Sequence, residues 1–241
     1  MRIPRVVVLW SVVALGLVGI TGCGGSGGGG DAGKSSNVDK DAKALVTEAG
    51  ILLRDGDFEI TGDVVQESIR TDYNVCVHAA RDVQGTAVVL EHKAEVVVVG
   101  GKSYLMADAP FWRAYGSRTD SADQAEIDRR AALIAGKYMM TAADPEDPIE
   151  GIGSILGDAN LTYVTGETSE IGGKRVVALK AEQRDGTTRT VHVPAEGKPY
   201  PVKVQVDGAD PVNLVFARAE KACTPVTPPT DRTIDMDEPD A

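Results

Sequence analysis

The chain has three cysteines and three histidines, the residue types that most readily form covalent bonds or bind a metal. The chain places Cys at positions 23, 76 and 223, and His at 78, 92 and 192. A structural zinc site commonly begins with C-x-x-C spacing, which is missing here. The Gly-Ser-Gly at 25–27 lies in a glycine-rich linker and is not a nucleophile elbow, and glycine-rich 24–30 precedes no strand–helix unit of the kind that forms a phosphate-binding loop. The sequence therefore predicts no metal site, no cofactor and no enzymatic activity.

The first cysteine ends a segment with the layout of an export signal. Two arginines precede an apolar run, 6–20, which is shorter than the roughly 20 apolar residues that span a bilayer. The run leads into Ile-Thr-Gly-Cys at 20–23, which resembles the lipobox of bacterial lipoproteins. That resemblance implies that residues 1–22 are a signal peptide and that the thiol of Cys23 takes a diacylglyceryl group. The alternatives are an ordinary secretory signal with a chance cysteine, or a lone apolar anchor helix.

The residues that follow predict a domain tethered to the extracytoplasmic face of the cell membrane. Residues 23–36 are rich in glycine, the composition of a flexible tether. The net charge of the chain is −11, and loss of the two signal-peptide arginines makes the mature protein more acidic still. An acidic surface disfavours nucleic acid as a partner and is repelled by anionic lipid, so attachment must come from the acyl chains.

The two remaining cysteines form an even pair. If Cys23 is lipidated, Cys76 and Cys223 lie outside the cytoplasm, where disulfides persist. We therefore predict a Cys76–Cys223 disulfide. The alternative is a pair of free, buried thiols.

Hydrophobic spacing divides residues 37–223, taken as one domain, into helices and strands. Apolar residues at intervals of three and four predict helices over 37–54 and 119–140, and a short helical turn within 149–156. Alternating apolar and polar residues between tight turns predict strands. The predicted strands are 73–79, 86–92, 95–99, 102–107, 161–167, 174–181, 188–193, 202–207 and 212–219. The acidic, proline-rich end of the chain, 224–241, is predicted to be a disordered tail.

This order of elements predicts an α+β fold. About ten strands joined mostly by short turns indicate a strongly curved antiparallel sheet, a half-barrel meander with one buried face. Two amphipathic helices, over 37–54 and 121–138, are available to pack on its concave face.

Two phrases of the sequence resemble a known family. AEVVVVGGKSYLMADAPFWRAYG (94–116) and GKPYPVKV (197–204) are similar to actinobacterial envelope lipoproteins of the LppX/LprG type, whose fold is like that of LolA and LolB. The resemblance implies a curved sheet and helices that enclose an apolar cavity, with a lipid or glycolipid as the ligand.

The predicted ligand site is the space between the sheet and the helices. Apolar side chains that line such a cavity keep it dry and accept acyl chains. The alternative is a non-carrying envelope scaffold with a packed core, whose protein partner the sequence does not identify. The predicted lining consists of Val75, Val77, Val97, Val99, Tyr104, Met106, Trp112, Ile134, Tyr138, Val202, Val204, Leu214 and Phe216.

Overall fold

The computed structural model describes residues 36–79, 81–119, 123–144, 155–156, 161–183 and 185–236. Within them, the helices are α1 (Ala42–Arg54), α2 (Ala109–Thr119) and α3 (Gln124–Ile134), with a short 3-10 helix at Thr230–Arg232. The strands are β1 (Asp57–Gln66), β2 (Ile69–His78), β3 (Asp82–Val89), β4 (His92–Val99), β5 (Lys102–Ala107), β6 (Tyr138–Ala142), β7 (Val164–Ile171), β8 (Lys174–Glu182), β9 (Thr188–Pro194), β10 (Lys203–Asp207), β11 (Val212–Arg218) and β12 (Thr233–Asp235). None of the described helices is long and apolar enough to cross a membrane.

The described strands form one open, curved sheet in the order β12-β6-β5-β4-β3-β2-β1-β11-β10-β9-β8-β7. Two meanders, β1–β6 and β7–β11, meet where β1 pairs with β11. Neighbours are antiparallel except β12, which runs parallel to β6 and makes the sheet mixed. The predicted α+β class and curved sheet are confirmed, with twelve strands in place of about ten.

Tight turns at positive φ explain the meander. Gly100 and Gly101 join β4 to β5 with φ of 61° and 75°, and Gly172 and Gly173 join β7 to β8 in the same way. Two consecutive residues at positive φ are typical of the type I′ turn, whose twist matches that of antiparallel strands. The glycine pairs therefore set these two hairpins, as the sequence predicts.

Helix α1 begins later than its apolar stripe predicts. Asn37 donates from its side chain to the carbonyl oxygens of Pro194 and Gly197, at 2.8 and 3.0 Å. That pairing ties the chain to the β9–β10 connection, and the helix begins only after Asp41, whose carboxylate accepts from the backbone N–H of Ala44 at 2.8 Å. A side-chain cap of this kind satisfies a donor that the first helical turn leaves unpaired.

The helix predicted over 119–140 is wrong in its extent. The structure has α2 before it, α3 within it, and strand β6 over its last residues. Asp108 accepts from the N–H of Phe111 and starts α2, while Gly136 turns the chain at φ 73° after α3. Residues 138–142 then pair with β5, because edge pairing to an existing strand outweighs a weak helical stripe. Of the helical turn predicted within 149–156, only residues 155–156 are described, and they form a turn.

The predicted disordered tail is wrong for residues 224–236. This segment is extended up to the 3-10 helix, and Thr233–Asp235 then pair with Tyr138–Met140 of β6. The N–H of Met236 also donates to the carbonyl of Met140 at 2.9 Å. Composition alone predicts disorder because the segment has few apolar residues, but the open edge of β6 supplies the backbone partners it needs. Residues 237–241 lie outside the described residues.

The predicted disulfide is present. Cys76 of β2 is bonded to Cys223, with a Cα–Cα distance of 5.8 Å and a sequence separation of 147. The disulfide therefore links the chain after β11 to β2 of the first meander.

Candidate functional site

The predicted site residues lie on both faces of the sheet. We call the face that packs against α1 the concave face and the opposite one the convex face. On the concave face lie Val75 and Val77, which pair across the sheet with Ile60 and Phe58 of the core beneath α1. Val204, Leu214 and Phe216 belong to the same core. Val202 is buried and continues their alternation.

The other predicted strand residues lie on the convex face, which corrects the sequence prediction. In β4 the core positions belong to Val96 and Val98, so Val97 and Val99 point to the opposite face. Tyr104 stands opposite Val97, and the alternation of β5 and β6 places Met106 and Tyr138 on the convex face too. The run of four valines has no alternation to reveal its orientation, and a register shift of one residue exchanges the faces.

The concave face has a tightly filled half. Leu45, Ala49 and Leu53 of α1 are essentially unexposed and meet Phe58 and Ile60 of β1. The rings of Phe58 and Phe216 make an edge contact, with 6.5 Å between centroids. The connection between β6 and β7 also contributes, through Ile155, Leu156 and Tyr163. We call this region the α1 half.

The other half, beneath α2, is less completely covered. Its buried cluster consists only of Ala94, Ala107 and Phe111, and the larger side chains around it are half-buried. We call this region the α2 half. Its half-buried side chains are Val89, Leu105, Trp112 and Tyr115.

Three aromatic rings on α2 form one wall of that half. Phe111 meets Trp112 edge to face at 4.9 Å between centroids and stacks on Tyr115 at 6.0 Å. Burial, followed by the charge of Glu67, raises the pKa of Tyr115. The indole Nε1–H of Trp112 is buried and has no hydrogen-bond partner among the described residues. The wall is therefore an apolar surface with one unused donor.

Sequence reasoning found Trp112 but missed its neighbours. Phe111 and Tyr115 are four residues apart, which places them on one side of a helix, and that spacing could have revealed α2. Leu105 and Val89 were missed because their strands were assigned to the wrong face or register. Ile134, which was predicted to line the site, is half-buried at the end of α3 and belongs to neither buried cluster.

A shallow cleft lies at the strand ends beside α2 and α3. Its volume is about 550 Å³, and Lys93, Glu95 and Asp108 give it charged walls of both signs. Ala94 and Ala107 of the α2 half also line this cleft. Among the described residues, no group of three or more His, Cys, Asp or Glu side chains is arranged to hold a metal. Cys23 and the lipobox lie outside the described residues.

The fold can be compared with solved structures. Lipoprotein LppX of Mycobacterium tuberculosis is 12% identical over 76% of this chain and 97% of its own, with a TM-score of 0.48. MucB in complex with MucA from Pseudomonas aeruginosa is 16% identical over 77% of this chain and 63% of its own, with a TM-score of 0.38. A LolA superfamily protein of Nitrosomonas europaea is 8% identical over 76% and 96% of the two chains, with a TM-score of 0.33. No protein-family model and no curated protein matches the sequence.

The TM-scores of these three likenesses are all below 0.5. At such low identities they assign no binding residue to this chain.

Proposed function

We propose that this chain is a lipoprotein held on the extracytoplasmic face of the cell membrane by lipid on Cys23, and that its domain binds the acyl chain of a lipid or glycolipid. The ligand lies in the α2 half of the concave face, against Phe111, Trp112 and Tyr115. The protein is a binding protein rather than an enzyme.

The cysteines support the anchor. Cys76 and Cys223 are bonded to each other, which leaves Cys23 as the remaining cysteine of the sequence. Its lipobox context and the glycine-rich tether that follows suit a lipid-modified N-terminus, and two acyl chains are enough for stable attachment.

The contrast between the two halves of the concave face carries the ligand proposal. The α1 half buries Leu53 and Phe58 completely, whereas the α2 half leaves Val89, Leu105 and Trp112 half-buried around small residues. Val89 and Leu105 also pack against the core beneath α1. Burial of apolar surface stabilises a protein by about 25 cal/mol per Å², and the exposed part of these side chains does not contribute. An acyl chain that covered them would gain this free energy on binding. The unused Nε1–H of Trp112 can donate to an ester carbonyl beside that chain.

Solvent extraction tests the ligand directly. The mature domain with Cys23 replaced by Ala is purified, extracted with organic solvent, and the extract examined by mass spectrometry. We expect a co-purifying lipid, and saturable binding of a fluorescent fatty-acyl probe by the extracted protein. Neither a lipid nor probe binding would reject the proposal.

A matched pair of variants locates the site. Ala94→Leu adds bulk at a buried position of the α2 half and should weaken probe binding at least tenfold. Ala217→Leu makes the same chemical change at an exposed position of β11 and should leave binding unchanged. Equal effects of the two variants would place the ligand elsewhere.

The anchor has its own test. Cys23→Ala in the full chain should move the protein from the membrane fraction to the soluble fraction, or leave it uncleaved. A variant that is still cleaved and still membrane-bound would contradict the lipid anchor.

A second candidate function, a non-carrying scaffold, is favoured by the complete burial of the α1 half. A domain with a packed core throughout would display its surfaces to a protein partner instead of holding a ligand. Failure of both the extraction and the probe assay would favour this function.

A further inference from the structure

Two neighbouring side chains on the convex face, Val97 of β4 and Tyr104 of β5, are buried. The register places Cys76, Gln84, Val97, Tyr104 and Met140 side by side across β2 to β6. Val97 and Tyr104 are only 3% and 5% exposed. A flat sheet surface does not bury its own valine and tyrosine, so another part of the chain must cover this row.

The C-terminal residues 223–236, which we call the strap, are positioned to cover it. Cys223 is bonded to Cys76 at one end of the row. At the other end, the Arg232 guanidinium donates to the sulfur of Met106 at 3.3 Å and to the carbonyl of Gly136 at 3.0 Å. It also lies over the ring of Tyr138, 5.9 Å from the centroid.

The spacing between strands gives the distance between the two ends of the row. From β2 to β6 is about 19 Å at roughly 4.8 Å per strand. Within the strap, Pro229 has φ −61° and ψ 137°, close to the polyproline II conformation. Its neighbour Pro228 is buried. The convex face of β4–β6 thus holds an extended, proline-rich segment of the chain itself.

The strap is held by few contacts beyond its disulfide. None of residues 224–236 joins either hydrophobic cluster, and Val226 is 67% exposed. Its backbone pairing with the sheet consists of the three-residue parallel strand β12 and the hydrogen bond from Met236 to Met140. Segments with so little buried apolar area open at low free-energy cost. Because the disulfide stays in place, such an opening frees residues 224–236 while Cys223 remains on the sheet.

We propose that the convex face of β4–β6, together with the outer edge of β6, is a peptide-docking groove, and that the strap is its intramolecular occupant. The partner is an extended, proline-rich protein segment that ends in a basic residue and a short apolar strand, the same chemistry as the strap. Aromatic and methionine side chains suit proline-rich segments, and a strand edge accepts a partner strand through its backbone. The proposal concerns the face opposite the acyl-chain site and does not depend on that site.

A labelled peptide tests the groove. The peptide has the sequence of residues 224–236, and binding to the full mature chain is followed by fluorescence polarisation. Wild-type protein should bind it weakly, because a tethered segment competes at millimolar effective concentration. Ile234→Pro interrupts β12 and should improve peptide affinity at least tenfold. Arg232→Ala combined with Ile234→Gly is a second variant that loosens the strap by a different route.

Control peptides separate the parts of the recognition. Replacement of the three prolines by glycine, with Arg232 and Ile234 kept, should weaken binding to the Ile234→Pro protein at least fivefold. If that peptide binds as well as the original, the groove does not recognise proline-rich chemistry. If neither protein variant binds the original peptide better than wild type does, the strap is a fixed part of the sheet and the proposal is overturned.

Discussion

The two halves of the concave face are built from the same sheet but are closed to different degrees. Beneath α1, the side chains are large and unexposed on both the helix and the strands, as Leu53 and Phe58 illustrate. Beneath α2, alanines take the strand positions and the large side chains lie around them, half-buried. The comparison teaches that amphipathic helices over one curved sheet can complete a core in one place and leave an accessible apolar wall in another. Stability should therefore depend on the α1 half and ligand binding on the α2 half.

Removal of the disulfide should have the largest effect, because it loosens the sheet that both halves share. In the Cys76→Ala, Cys223→Ala double variant, loss of a link across 147 positions should lower the free energy of unfolding by about 4–5 kcal/mol. Urea unfolding followed by circular dichroism measures the change. A loss below about 1 kcal/mol would show that residual structure already confines the unfolded chain without the disulfide.

A cavity in the α1 half should come next. Leu53 is fully buried beneath the sheet, so Leu53→Ala removes apolar contacts and leaves a void that the packed core cannot close. We expect a loss of about 3–5 kcal/mol in urea unfolding, with little change in binding of the acyl probe by the folded protein. Loss of probe binding by folded Leu53→Ala protein would contradict the division between the halves.

The same substitution in the α2 half should cost less. Leu105 is half-buried, so Leu105→Ala exposes less new surface and its void opens to solvent. We expect a loss of about 1–2 kcal/mol by the same assay, with a clear change in probe affinity. If Leu105→Ala and Leu53→Ala destabilise equally, the α2 half is as tightly packed as the α1 half, and the scaffold function gains support.

The smallest expected effect depends on pH and lies on the convex side of the second meander. Burial lowers the pKa of His192, while the Gln205 side chain works in the opposite direction and Lys203 and Lys180 add repulsion. The unfolded chain therefore takes up the proton first, and stability falls as the pH drops below about 6.5. His192→Gln should reduce the fall in Tm between pH 7.5 and pH 5. An unchanged fall in the variant would assign the acid sensitivity to other groups.

Sequence reasoning was most successful where a local pattern has a single meaning. The Gly-Gly pairs at 100–101 and 172–173 specify tight hairpins, and the stripe ending at Leu53 specifies α1. It was least successful over residues 109–142, where α2 was missed and one helix was placed across α3 and strand β6. Residues 138–142 have no strong periodicity of their own, and their conformation follows from the free edge of β5 beside them.

The candidate site was predicted only in part for a related reason. Val75, Val77 and Leu214 alternate with polar neighbours, so their face could be inferred. Val97 and Tyr104 lie in segments whose side chains are buried on both faces of the sheet. No local signal in the strap itself marks it as a cover for the sheet.

By itself, the sequence determined the α+β class, the meander and the Cys76–Cys223 pair, and it carries the basis for the predicted anchor at Cys23. These follow from local periodicity, turn chemistry and the parity of the cysteines, none of which requires knowledge of distant contacts. Only the tertiary structure decided which face each β4 residue occupies, how far the two halves are closed, and where the strap lies. Those features depend on strand register and on the free edge of β6, which exist only after segments distant in sequence have come together.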